Sequence, residues 1–142
     1  MLIRRYIYLV YPVYFSPSLI TILENHDKLD SFIIGEPKMD YINKVMDLDK
    51  EISYSPGSIV SKIIYKTDHT ILTLFALDKD QSIAEHITPF EAMVQVIDGE
   101  AELVIGEEIK LVKVGESIIM PATVPHALFA RKAFKMLLTM MK

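Results

Sequence analysis

Two of the four histidines stand where they could do chemistry. His86 closes a short extended stretch, Ser82 to His86, just ahead of Thr88-Pro89. His126 opens another, His126 to Phe129, just after Pro125. A neutral imidazole is a good ligand for divalent metals and titrates near neutral pH, so such a residue can hold a metal or act as a general base. It can also be an inert, hydrogen-bonded core residue. His69 follows Thr67-Asp68 and reads as an exposed turn residue. His26 lies in an atypical N-terminal segment and receives no role. With no cysteine in the chain, disulfides, thiolate zinc sites and cysteine nucleophiles are excluded.

The elements that must position the pair read as strands. Beyond Ser58 the sequence alternates in short β-branched and apolar runs separated by turn residues. Thr70 to Leu77, Met93 to Ile97, Glu100 to Ile105, Ile109 to Val112, Ser117 to Met120 and Phe134 to Met141 are the clearest. Asp98-Gly99 between two apolar runs predicts a tight hairpin with both turn residues at positive φ. No stretch after residue 50 has a helical period. Short strands with regular turns predict an all-β antiparallel barrel or sandwich, and closure is favoured because it removes exposed edges. A barrel of about eight strands encloses room for one small ligand. Phe75, Phe90, Met93, Met120, Met136 and Met140 are candidates for the core or the pocket wall, and eight methionines suit an irregular cavity.

The two histidines also fall at matched places in two longer patterns. Asp80-(five)-His86-Ile87-Thr88-(three)-Ala92-(six)-Gly99 resembles the first motif of the cupin superfamily, and Gly115-(five)-Pro121-Ala122-Thr123-(two)-His126-(three)-Ala130 resembles the second. The resemblance covers residues 58–142 and extends to a group of small bacterial and archaeal cupins with His-x-x-Pro and Met-Pro-Ala-x-x-Pro-His-Ala segments. It implies a jelly-roll barrel, or double-stranded β-helix. It also implies a metal held by two histidines and a glutamate from the first motif and one histidine from the second. Of those ligands only His86 and His126 are present. Thr88 stands for the second histidine and Ala92 for the glutamate, and both become pocket positions. Glu91 is adjacent, but a one-residue shift along a strand points it to the other face unless the backbone after Pro89 is irregular.

Three functions follow as expectations. The first is a divalent metal (iron, manganese, nickel or zinc) on His86 and His126, completed by water or a bound small molecule. The second is a metal-free isomerase or epimerase of the sugar type with a histidine base, for which Glu91 and Tyr65 are the only loose partner acids. The third is a non-enzymatic small-molecule-binding module. Small cupins commonly dimerise, and the surplus of apolar residues on Phe134–Met141 suggests a homodimer interface.

Composition narrows the class. The chain has 142 residues, 51% of them hydrophobic, enough for one domain with a real core. The formal charge of −4 and the lack of a basic run argue against nucleic acid. Residues 39–142 are expected to be the barrel. Residues 1–38 are an extension of a different kind, with Arg4 and Arg5 ahead of an uncharged run from Tyr6 to Leu23. Leader, anchor, arm or extended start all remain open there, although Pro12 and Pro17 speak against a membrane helix. A cytoplasmic location is expected.

Overall fold

Residues 41–142 are described by a computed structural model, and they contain strands and turns only. The expectations for residues 1–38 lie outside the described residues. The strands are β1 (Ile59–Lys66), β2 (Thr70–Leu77), β3 (Ser82–His86), β4 (Glu91–Asp98), β5 (Glu100–Ile105), β6 (Glu108–Lys113), β7 (Ser117–Met120), β8 (His126–Phe129) and β9 (Phe134–Met141). They form two antiparallel sheets, β1-β2-β9-β4-β7 and β3-β8-β5-β6. This is the all-β architecture that the period-two pattern predicts.

Alternation explains the core. Ala92, Val94 and Val96 of β4 point to the same side as Phe134 and Met136 of β9 and Phe75 and Leu77 of β2. From the other sheet they meet Ala101 and Leu103 of β5 and Leu128 of β8. Leu77, Leu103, Val94 and Phe134 are wholly removed from water. Each such side chain contributes on the order of 2 kcal/mol.

The outer face of the five-stranded sheet is covered too. Residues 41–57 make turns instead of a strand, and they lay Ile52, Leu48 and Tyr54 over Leu74, Ala76 and Leu137. Polar groups pin this cover. The Tyr54 hydroxyl donates to Asp98 Oδ2 at 2.6 Å. Lys135 Nζ donates to Asp49 Oδ1 at 2.8 Å and to the Asp49 carbonyl at 2.7 Å. The same ammonium lies 5.1 Å from the Tyr54 ring centroid. Burial, with the Asp98 carboxylate adding to it, pushes the Tyr54 phenol well above its ordinary pKa. The apolar surplus on Phe134–Met141 therefore has an explanation inside the chain, because β9 is a central strand with both faces covered.

Asp98-Gly99 does not make the hairpin that the dipeptide predicts. β4 pairs with β7 and β9, whereas β5 pairs with β6 and β8, so the dipeptide is a corner between the sheets. Gly99 alone has positive φ there, 74°. A Cβ on Gly99 would sit 2.5 Å from the Ala133 carbonyl oxygen, so the corner admits glycine and nothing larger.

Candidate functional site

β3 ends where β8 begins, and their antiparallel register sets His86 directly across from His126. The ring centroids are 4.4 Å apart, inclined at 63°. Each ring is held in the same way. His86 Nδ1 lies 2.9 Å from the Ala84 carbonyl oxygen, and His126 Nδ1 lies 2.9 Å from that of Val124. A carbonyl can only accept, so each Nδ1 carries the proton and donates it. In its neutral form each ring keeps its lone pair on Nε2, the nitrogen that can bind a metal or take a proton. His126 is buried and His86 half-buried. Burial lowers the His126 pKa and the neighbouring charge of His86 lowers it further, while the bond to Val124 opposes both. At neutral pH His126 is thus held in its neutral form.

Two short loops carry the chain from this pair to the other sheet. Residues 87–90 lead from His86 into β4, and residues 121–125 lead from β7 into His126. The Thr123 amide donates to the Thr88 carbonyl at 2.8 Å, which ties the loops together. Thr88 is buried, and its hydroxyl donates to the Phe90 carbonyl at 2.8 Å. The β5–β6 turn closes the same end, with the Gly106 amide donating to the Pro125 carbonyl at 2.8 Å.

The other expected site residues divide by strand parity. Phe75, Ala92, Met120 and Met136 all belong to the common core. Phe90 is half-buried in the bend before β4. Met93 is half-buried, and since its neighbours Ala92 and Val94 face the core, alternation turns it to the opposite face. Glu91 is exposed on that opposite face too, because β4 is already regular at its first residue, and the carboxylate does not join the histidines. Tyr65 lies on β1, the far strand of the other sheet, and pairs with Leu72. His69 is exposed between β1 and β2, as expected. Among the described residues no three His, Asp or Glu side chains gather as a metal cluster. The donor set of this pair is therefore two imidazole nitrogens, which suits a borderline divalent metal whose other positions come from water or a ligand.

Comparison with known proteins decides the family. The cupin-domain family model matches residues 73–141. A conserved protein of unknown function from Streptococcus pyogenes is 40% identical, with a TM-score of 0.67, over 70% of this chain and 88% of its own. This chain is a cupin. A cupin 2 conserved barrel domain protein from Leptotrichia buccalis is 36% identical (TM-score 0.67) over 68% of this cupin, which spans only 47% of that protein. A cupin superfamily protein from Desulfitobacterium hafniense shares the fold at 19% identity (TM-score 0.66), over 70% of this chain and 91% of its own. No curated protein matches significantly.

The cupin backbone survives where its side chains have changed. The resemblance to the two motifs implies glycine at Asp80, Gly99, Gly115 and Thr123, whose φ are 65°, 74°, 84° and 63°. All four are left-handed, so the motif turns persist even where glycine is absent. Asp80 tolerates this well, whereas a β-branched threonine pays about 1–2 kcal/mol. The motifs also join at their ends, since the Asp80 amide donates to the Ala130 carbonyl at 2.7 Å. The left-handed Thr123 escapes period-two reasoning, and its only signal in the sequence is a threonine at a glycine position of the motif.

Proposed function

We propose that this cupin binds a small molecule through a divalent metal held by Nε2 of His86 and His126. The observation that supports this is the pairing of two adjacent imidazoles whose Nδ1 protons are both committed to backbone carbonyls. That arrangement orients metal-ligating histidines and fixes their tautomer. Iron, manganese, nickel or zinc would suit, and a bound metal supplies Lewis acidity. The chain's own part is to keep His126 neutral and to present an apolar wall that contains Ala92 and Met120.

Metal analysis of the full-length protein, purified without chelator, tests this reading. The expected result is a divalent metal, or tight uptake of one, that disappears in the His86→Ala, His126→Ala double variant. Metal content unchanged by the double variant would overturn it. The His126 ring, fixed through Nδ1 with Nε2 left over, favours a second reading, a metal-free histidine base. Turnover that survives complete chelation and is lost with His126→Ala would select it. A ligand that raises Tm and is never turned over would favour a pure binding module.

A homodimer belongs to the same proposal. Ile109, Leu111 and Phe129 are exposed side chains on the outer face of the four-stranded sheet, where Glu102 pairs with both Leu111 and Phe129. Sedimentation at twice the 16.2 kDa chain mass is the expected result.

A further inference from the structure

Ala92 stands where the resemblance implies the glutamate of the first motif, and its side chain ends at Cβ. Its two register partners are both methionines, Met120 on β7 and Met140 on β9. Ala92 and Met120 face the core. Directly paired residues share a face, so Met140 faces the core as well. All three are buried, at 3%, 2% and 7% exposure.

This methionine row lies at the same end of the fold as the histidines. His86 reaches Ala92 through residues 87–90, and Met120 reaches His126 through residues 121–125. The bond from Thr123 to Thr88 holds both crossings side by side. Packed sheets stand about 10 Å apart, a gap that a histidine from one sheet and a methionine from the other fill together. The connections place both pairs of side chains on the inner faces at one end of the two sheets.

Resting on the histidine metal site proposed above, we infer that Met120 and Met140 add thioether donors to it, so that it holds a soft cation, Cu(I), as well as a divalent metal. Thioether and imidazole together favour Cu(I), whereas hard cations want carboxylate and water. The loss of a glutamate at Ala92 and the presence of methionine on both sides of it change the donor set in the same direction.

The test is competition of the full-length protein with a chromophoric Cu(I) chelator under reducing, anaerobic conditions, alongside a Zn(II) titration. One Cu(I) per chain is expected. Met120→Leu and Met140→Leu, which keep volume and apolarity, should each weaken Cu(I) at least tenfold and leave Zn(II) within twofold. Copper X-ray absorption on selenomethionine-labelled protein should show copper–selenium scattering, a readout that needs no substitution. Unchanged Cu(I) affinity in both leucine variants, or copper without selenium neighbours, overturns the inference while the histidine site stands. Loss of neither metal in the His86→Ala, His126→Ala variant overturns the histidine site itself.

Discussion

Two polar clusters sit on opposite sides of the core, and they are built on opposite principles. On the outer face of the five-stranded sheet, Tyr54, Asp98, Lys135 and Asp49 spend their hydrogen bonds on one another. At the end of the four-stranded sheet, His86 and His126 spend one nitrogen each on backbone and keep the other. A closed polar network fastens a covering segment to a sheet. A pair that retains two adjacent lone pairs in a half-buried place is equipped for a ligand. Burial alone does not separate the two, since Lys135 and His126 are both buried. What separates them is the capacity left over.

The largest effect should come from opening the closed cluster. Lys135→Ala removes both bonds to Asp49 and the ring contact with Tyr54. It should cost about 2–3 kcal/mol in denaturant unfolding, below the range for fully buried pairs because Asp49 is half-exposed. Metal affinity should stay within twofold; a tenfold loss would mean that the two clusters are not independent.

Tyr54→Phe is the milder cut. It leaves the Asp98 carboxylate without its phenol donor and should cost about 1–2 kcal/mol. Because the folded Tyr54 pKa is raised, its contribution is full below the unfolded value of about 10 and fades as pH climbs past it. Thermal unfolding across alkaline pH should show that decline in the parent and a flatter limb in Tyr54→Phe.

At the open cluster the expected signs change. Thr123→Gly relieves a left-handed β-branched residue and should raise stability by up to about 1 kcal/mol, the gain being trimmed by the extra chain entropy of glycine. A fall in Tm would show that the threonine side chain, whose hydroxyl donates to the Ala122 carbonyl at 2.6 Å, is worth more than the strain.

The smallest effect is the acid limb. The folded His126 pKa is lowered, so the unfolded chain takes up a proton first, below about 6.5. The contribution of His126 is full above that pH and is lost as pH falls toward the folded value. His126→Gln should flatten the Tm profile between pH 7 and 5; an unchanged slope would assign the acid limb to other groups.

Strand bounds and parity were legible in the sequence because a half-buried strand writes its burial every second residue. Thr70–Leu77, Ser82–His86, Glu100–Ile105, Ser117–Met120, His126–Phe129 and Phe134–Met141 match their predicted bounds. The exposed position of Glu91 follows from the same parity, and so does the face of Met93, which a reading by residue type alone misses. Asp98-Gly99 misled because a dipeptide suited to a tight turn serves equally well at a corner, and only the partner strands distinguish the two. The cover of residues 41–57 left no periodic trace, since turns bury side chains irregularly.

By itself, the sequence determined an all-β domain beyond Ser58, the strand faces and the two histidines at matched places in paired motifs. These are local properties, carried by side-chain alternation and by turn residues. Tertiary structure decided which strands pair, that both faces of β9 are covered, and that His86 and His126 stand ring to ring with both Nε2 lone pairs unspent. It also set Met120 and Met140 on either side of Ala92. Those are long-range facts: they depend on pairing between strands far apart in the chain, and no period within one strand can encode its partner.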